Sequence, residues 1–181
     1  MSEKFKIGID YGGTKIEGIL MDQSGKEVLR KRSTYDKNYQ SGLDTVKSLV
    51  EEFDQYSGSK NTVGICIPGF SSLETGLVNN ANCVWINDQP FQKDLEKKLN
   101  REVRMMNDAN CFALSEAIDG SGKHYKIVYG IILGSGAGGG LVIDKKIVTG
   151  PNGVAGEWGH NQINHLIAKK ENFKSTNLRE G

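Results

Sequence analysis

Two glycine-rich segments that share one pattern of strand, glycine turn and strand constrain the fold of this chain more than any other feature. A shift of 122 positions aligns GIDYGGTKIEGILMD (residues 8–22) with GIILGSGAGGGLVID (residues 130–144), and five of the fifteen positions are identical. A match this short is compatible with two unrelated hairpins. It is also compatible with a duplicated domain whose two glycine hairpins face each other across a cleft, where they would hold an extended anion from both sides.

The rest of the chain alternates between the hydrophobic periods of strands and helices. Three short strands predict an antiparallel meander near the start, and TVGICIPG predicts a strand that is buried on both faces. Ser41 is the expected N-cap of the first helix. The predicted strands cover residues 5–10, 15–22, 26–34, 62–69, 103–108 and a second meander from 127, and the predicted helices cover 41–56, 89–100 and 109–120.

Composition excludes several classes of function. Lys and Arg number 23 against 22 Asp and Glu, and the net charge of +1 gives no indication of binding to nucleic acid or to an anionic membrane. No apolar run approaches the roughly 20 residues that span a bilayer, and MSEKFKIGID does not have the form of a signal peptide. The three cysteines, Cys66, Cys83 and Cys111, form no C-x-x-C pair, so neither a disulfide framework nor a zinc ribbon is indicated. We therefore expect a cytoplasmic protein.

The first glycine turn, DYGGTK, contains residue types that bind phosphate. Gly12 and Gly13 allow backbone N–H groups to approach a phosphate without interference from Cβ atoms. Thr14 and Lys15 add donors, and Asp10 is placed to hold Mg²⁺ through water. The order Thr-Lys is the reverse of that in a Walker A loop, and an ordinary hairpin turn with solvated side chains is the alternative.

The second glycine turn satisfies the pattern G-x-G-x-x-G, beginning with Gly134, Ser135 and Gly136. A dinucleotide-binding fingerprint requires a helix directly after the turn, whereas the following LVIDKKIVTG alternates like strands. The pattern therefore does not indicate a Rossmann fold, although contact between this hairpin and a phosphate stays an alternative.

Asp108 stands where the strand VRMMND ends and a helix begins. Two compatible roles fit that position, namely the N-cap of the helix and a general base facing a cleft.

The amide-rich residues 79–82, with Trp85, suit a hydroxyl-rich ligand, although turn formation explains asparagine equally well. Glu157 and His160 lie three residues apart, a spacing that fits a metal or ligand pair on a helix. The glycines around them favour a loop instead, and a single histidine is more often structural than a ligand.

Four motifs occur in order along the chain: GIDYGGTK (8–15), NANCVWIND (80–88), NDANCFALSEA (107–117) and GSGAGGGLVIDKKIVTGPNGVAGEWGH (134–160). Together they resemble the bacterial sugar kinases of the ROK group, which belong to the actin–hexokinase superfamily. The resemblance extends from about residue 5 to residue 163 and is nearest to the fructokinase and mannokinase branch, with N-acetylglucosamine kinases close behind. It implies an α/β fold of the actin/hexokinase type, similar to ribonuclease H, with two duplicated lobes of which the second is incomplete.

The resemblance also implies a role for each candidate residue. The activity would be that of an ATP-dependent hexose kinase, which transfers the γ-phosphoryl group of Mg·ATP to a sugar hydroxyl. Asp108 would be the catalytic base, and Asp10 would help to place Mg²⁺. The sugar would be held by Asn82, Asn107, Glu157 and His160, and the phosphates of ATP by Gly12, Gly13, Thr14 and Lys15 in the first loop and by Gly134, Ser135 and Gly136 in the second.

The sequence departs from the family pattern after residue 160. His160 would be the first of four zinc ligands, but the three cysteines of the family's C-x-C-G-x-x-G-C-x-E segment are missing from residues 161–181. One histidine does not complete a structural zinc site, so we expect this chain to hold no zinc. We expect a truncated kinase with an N-terminal lobe (1–120), the opening meander of a second lobe (121–163) and a disordered tail (164–181). An uncovered sheet face and weak or absent ATP turnover by this chain alone are the expected consequences.

Two other functions fit parts of the same pattern. ROK repressors carry a helix-turn-helix ahead of the glycine hairpin, and a first strand near residue 5 leaves no room for one. A sugar-binding remnant without catalysis fits the presence of Asn82, Asn107, Asp108 and Glu157. The sequence does not distinguish fructose from mannose, glucose or N-acetylglucosamine. A homodimer, which is common in the family, and non-native association are both compatible with it.

Overall fold

The computed structural model describes residues 5–133 and 137–160, which form strands and helices in alternation. The strands are β1 (Lys6–Tyr11), β2 (Lys15–Met21), β3 (Glu27–Thr34), β4 (Thr62–Ile67), β5 (Phe70–Ser71), β6 (Val78–Asn79), β7 (Val103–Asn107), β8 (Ile127–Leu133), β9 (Ala137–Ile143) and β10 (Lys146–Val148). The helices are α1 (Tyr39–Ser57), α2 (Phe91–Leu99) and α3 (Asp108–Ile118), with short 3₁₀ turns at Val84–Ile86 and Trp158–His160. No helix in the described ranges is long and apolar enough to cross a membrane.

The main sheet has five strands in the order β3-β2-β1-β4-β7. The first three strands form the predicted antiparallel meander, whereas β4 and β7 run parallel to β1. Asp10 pairs with Cys66, and Ile67 pairs with Asn107, so the carboxyl ends of β1, β4 and β7 meet at one edge. Open sheets of this kind bind ligands outside the carboxyl ends of their parallel strands. This edge is therefore the place to look for a site.

Helix α1 packs against the meander through a buried face that includes Val46, Val50 and Phe53. A Cβ atom on Gly18 would lie 2.6 Å from the Phe53 ring, so the glycine makes room for this packing. The prediction that Ser41 caps this helix is wrong. The cap is Asn38, whose side chain accepts from the Ser41 N–H at 2.9 Å, which places Ser41 inside the first turn. Both residue types are good caps, and the sequence pattern alone does not separate positions three residues apart.

The second sheet has the order β10-β9-β8, and α3 covers one of its faces. Gly130 and Gly140 are directly paired across β8 and β9, and Ala113 of α3 rests against both. Much of the opposite face is exposed, in line with the expected uncovered sheet face, while Gly156 and Trp158 lie against it at Gly139. Its apolar side chains include Ile127, Ile131 and Leu133, which are 64%, 51% and 75% exposed.

Both glycine-rich segments form antiparallel hairpins, as predicted, but they lie in different sheets and have different registers. Gly8 pairs with Ile19 in the first hairpin, whereas its counterpart Gly130 pairs with Gly140, the counterpart of Gly18. The two hairpins therefore share a plan and differ by one residue in pairing.

Candidate functional site

Two carboxylates meet at the carboxyl edge of the main sheet. Asp10 lies near the end of β1 and is exposed, and Asp108 is the first residue of α3 and is half-buried. Burial raises the pKa of the Asp108 carboxyl, and the negative charge of Asp10 acts in the same direction. A carboxylate with a raised pKa accepts a proton more readily than an ordinary aspartate, as a general base must.

Asn107, and not Asp108, caps helix α3. Its Oδ1 atom accepts from the Asn110 N–H at 3.0 Å, and its Nδ2 atom donates to the Gly69 carbonyl at 3.0 Å. The prediction of an N-cap role for Asp108 is therefore wrong by one residue. Because Asn107 supplies the cap, the Asp108 carboxylate is not needed to cap the helix. One of its oxygens accepts from the Ala109 N–H at 2.8 Å.

A close backbone contact with Gly69 places the amide-rich loop (residues 79–82) at the same edge of the main sheet. Gly69 has φ +83°, and a Cβ atom there would lie 2.7 Å from the backbone nitrogen of Ala81, so the two backbones touch closely. Asn87 holds the loop, since its side chain accepts from the Ala81 N–H at 2.8 Å and donates to the Ala81 carbonyl at 3.1 Å. Asn80 adopts a positive φ of 55°, which is the turn-forming role of asparagine, and Asn82 is exposed.

Hydrogen bonds fix the backbone of the first glycine turn, and the space beside Gly13 is largely open. The Gly12 N–H donates to the Lys15 carbonyl at 3.1 Å, and the Tyr35 hydroxyl donates to the Gly12 carbonyl at 2.8 Å. A Cβ atom on Gly13 would meet only the Cys83 sulfur, at the ordinary contact distance of 3.6 Å. Packing therefore does not demand glycine at position 13, while close approach of a ligand would. With Thr14 and Lys15 exposed, the turn fits a phosphate group.

Trp85 belongs to a cluster of aromatic side chains that packs beneath this turn. The Trp85 Nε1 donates to the Tyr11 hydroxyl at 3.2 Å, and the Trp85 ring meets the Tyr35 ring edge-on at 6.0 Å. Trp85 thus supports the turn from the core side instead of presenting its face to a ligand with the amides.

Tyr35 is a residue that the sequence analysis missed, and its hydroxyl gives a testable contribution to the turn. We expect Tyr35→Phe to lower the free energy of unfolding by about 1 kcal/mol, because a half-buried carbonyl loses its donor. Urea unfolding measures this loss. Tyr56→Phe is the matched control, because Tyr56 is 60% exposed and its change should be negligible. Equal stability of the two variants would contradict this role of Tyr35.

Glu157 lies in the loop that follows β10 of the second sheet, and this loop brings it close to the site. A Cβ atom on Gly138 would lie 3.4 Å from the Ala109 Cβ and 3.5 Å from Glu157 Oε2, which places Glu157 beside the start of α3. The loop that carries Glu157 is fixed by Trp158, whose Nε1 donates to the Gly138 carbonyl at 2.9 Å. Tyr129 also fixes it, because its hydroxyl donates to the Gly156 carbonyl at 2.6 Å.

Several predicted residues fall outside the part of the chain that the structure describes. These are the second-turn residues Gly134, Ser135 and Gly136, the side chain of His160, and the predicted tail 164–181. Among the described residues, no group of three or more His, Cys, Asp or Glu side chains is placed to hold a metal ion.

Comparison with known proteins identifies relatives over most of the chain. The profile of the ROK family matches residues 6–176. The N-acetyl-D-glucosamine kinase of Mannheimia succiniciproducens is 44% identical over 163 residues, and that of Yersinia pestis is 46% identical over 154 residues. These alignments cover 90% and 84% of this chain but 54% and 60% of the kinases. The chain thus spans about half the length of the curated relatives it matches.

Solved structures show the same fold. The ROK hexokinase from Thermus thermophilus superposes with a TM-score of 0.76 at 25% identity, covering 88% of this chain and 54% of the hexokinase. A ROK family glucokinase from Streptomyces griseus, solved in complex with glucose and AMPPNP, gives 0.75 at 27% identity, with coverages of 88% and 51%. The expected α/β fold of the actin/hexokinase type is confirmed. From its profile match and these likenesses, the chain belongs to the ROK family.

Proposed function

We propose that this chain supplies the catalytic base and much of the sugar- and phosphate-binding surface of an ATP-dependent hexose kinase. The observation that carries the proposal is the meeting of the half-buried Asp108 with the exposed Asp10 at the sheet edge where the open glycine turn begins. The base, the carboxylate for a cation and the phosphate loop of a phosphoryl-transfer site stand together there.

In the proposed reaction, the oxygen of the sugar hydroxyl bonds to the γ-phosphorus of ATP, and Asp108 accepts the proton of that hydroxyl. The bond between that phosphorus and the β–γ bridging oxygen breaks, and ADP leaves with the bridging oxygen. The raised pKa of Asp108 suits this step, because burial makes its carboxylate a stronger proton acceptor.

The remaining residues would orient the two substrates. Exposed Asn82 and half-buried Glu157 are proposed to hold sugar hydroxyls, with Asn107 and His160 completing the set. The proposed phosphate contacts are Gly12, Gly13, Thr14 and Lys15 in the first turn and Gly134, Ser135 and Gly136 in the second. We also propose a division between two lobes at residues 120 and 121, assembly as a homodimer and a cytoplasmic location.

Magnesium fits the carboxylate at the end of β1. Asp10 is exposed and offers hard oxygen ligands of the kind Mg²⁺ prefers. When bound, Mg²⁺ would neutralise negative charge on the phosphates.

The sugar that we propose is N-acetylglucosamine. The curated relatives at 44% and 46% identity are named N-acetyl-D-glucosamine kinases, and this supports N-acetylglucosamine over the fructose favoured by the motif resemblance.

A single-turnover assay tests the proposal, with the 181-residue chain in molar excess over ATP labelled at the γ-phosphate. We expect weak transfer, faster to N-acetylglucosamine than to fructose and proportional to protein concentration. Omission of Mg²⁺ is the control. Faster transfer to fructose would contradict the sugar assignment. Calorimetric heat from a hexose without heat from Mg·ATP would favour the sugar-binding remnant, and no heat from either would contradict the proposal.

A further inference from the structure

The second sheet has an apolar side that the described part of the chain leaves largely uncovered. Alternate residues of β8 point away from α3, and their exposed fractions are 64% for Ile127, 44% for Tyr129, 51% for Ile131 and 75% for Leu133. On the same side, their partners in β9 include Leu141 and Ile143, and these six residues together are called the apolar face. We propose that the apolar face is a self-association surface, through which two copies of this chain pack sheet against sheet as a symmetric dimer.

The sequence of β8 is apolar on both sides, which is typical of a strand that is covered on both sides. On one side, α3 supplies the cover. On the other side, Trp158 lies against Gly139. More than half of the surface nevertheless stays exposed at Ile127, Ile131 and Leu133. A contiguous exposed apolar patch of several hundred Å² marks an interaction site, so the apolar face predicts a partner.

The area of the apolar face fits a second copy. A large apolar side chain presents roughly 100 to 200 Å² when it is fully exposed. With Trp158 beside it at 37% exposure, the face therefore offers roughly 500 Å² per copy. Two copies would bury roughly 1,000 Å² between them, which is about the least that a specific interface needs. An interface of this size predicts a reversible dimer that dissociates on dilution.

The order of residues along β8 is complementary to itself. When two copies of the strand cross antiparallel with their midpoints at Gly130, Ile127 of one copy faces Leu133 of the other. In the same arrangement, Tyr129 faces Ile131. Each contact then occurs twice, as a twofold interface requires. Packed sheets lie about 10 Å apart with their strands within about 30° of each other, which keeps these residues opposite one another.

The distribution of charge permits this packing. Lys146 pairs with Ile143 and so lies on the same side of the sheet, but it begins the edge strand β10 and is exposed. Its ammonium group can stay in water at the rim, and an apolar centre with a polar rim is the usual anatomy of an interface. The net charge of +1 gives little repulsion between two copies.

Sedimentation velocity of the 181-residue chain, over a wide range of micromolar concentrations and without ATP or sugar, tests the proposal. We expect monomers at the low end of the range, dimers at the high end, and no larger species, because a twofold interface closes on itself. This dimer surface deepens the proposed homodimer and needs no kinase activity. The single-turnover assay is a separate measurement, so failure of the surface and failure of the kinase proposal are distinguishable.

Lysine substitutions locate the surface. Leu133→Lys should raise the dissociation constant of the dimer by about tenfold or more, because it brings a charge into the apolar contact. Leu73→Lys is the matched control, because Leu73 is 74% exposed, almost the same as Leu133, but lies between β5 and β6, outside the second sheet. Its dissociation constant should not change. Ile131→Lys is a second variant at the centre of the face, and circular dichroism checks that each variant is folded.

Three results would overturn the proposal. A monomer at every concentration would mean that the apolar face is covered within one chain or by a different protein. Growth of species beyond the dimer would mean that the contact does not close. A dimer of equal strength in Leu133→Lys and Ile131→Lys would place the homodimer contact on another surface. The first two results come from the unchanged sequence, so they do not depend on whether any variant folds.

Discussion

Asp108→Asn is expected to slow phosphoryl transfer to the sugar by about 100- to 10,000-fold while the fold is preserved. Asparagine has nearly the same shape and keeps an oxygen that can accept from the Ala109 N–H, but it does not accept the hydroxyl proton. The single-turnover assay measures the loss. Asp119→Asn is the matched control, because Asp119 is exposed at the other end of α3 and its change should leave the rate unaltered.

The stability of the same variant separates a catalytic role from a structural one. Burial raises the pKa of Asp108 in the folded state, so its contribution to stability is present below the unfolded pKa, about 3.9, and is lost as pH rises through the folded pKa. At pH 7 the free energy of unfolding of Asp108→Asn should therefore exceed that of the unchanged chain, and the gap should close below about pH 4. Urea unfolding at both pH values measures this.

Two outcomes would contradict this account of Asp108. Transfer at an unchanged rate in Asp108→Asn would exclude the carboxylate as the base. A variant that loses activity together with stability at pH 7 would indicate that Asp108 supports the fold, which is the opposite of the expected sign.

Gly130→Ala is expected to lower the free energy of unfolding by about 2 to 3 kcal/mol. A Cβ atom at this position would lie 2.8 Å from the Ala113 Cβ and 2.9 Å from the Ala113 Cα, which is helix backbone and does not rotate away. Gly140, its partner across the hairpin, meets the same residue at 2.9 Å, so α3 has no room to shift toward the other strand. The methyl group must push the helix off the sheet or strain both.

Gly138→Ala is the matched control, because it is the same substitution on the same face of the sheet. Its Cβ atom would meet the Ala109 Cβ at 3.4 Å, an ordinary contact, so we expect a loss below about 1 kcal/mol. Urea unfolding monitored by circular dichroism compares the two variants. Equal midpoints would show that the close approach of α3 at Gly130 does not determine stability.

Most elements of the fold could be predicted because hydrophobic period is a local property. The alternation in β1 and β4 and the helical spacing of Val46, Val50 and Phe53 are visible in the sequence and are confirmed. Both helix caps, in contrast, were assigned to a residue near the true one, Ser41 for Asn38 and Asp108 for Asn107. Capping depends on backbone angles at a single residue, and several neighbouring side chains were chemically suitable.

The candidate site was predictable where it follows the order of the chain and unpredictable where it depends on contacts between distant segments. Asp10 and Asp108 were identified because one lies near the end of an apolar strand and the other directly follows one. Tyr35 was missed because its hydrogen bond to Gly12 crosses 23 residues, and Asn87 was missed because its bonds to Ala81 serve a loop that no periodic pattern describes.

The sequence by itself determined that this chain has alternating strands and helices, two glycine hairpins and a carboxylate after a buried strand, since these depend on neighbours along the chain. Only the tertiary structure decided that Asp10, Cys66 and Asp108 lie at one sheet edge. The physical reason is the parallel pairing of β1, β4 and β7, which brings their carboxyl ends together across separations of tens of residues. Such pairing is selected by burial of the whole core, and no local stretch of sequence encodes it.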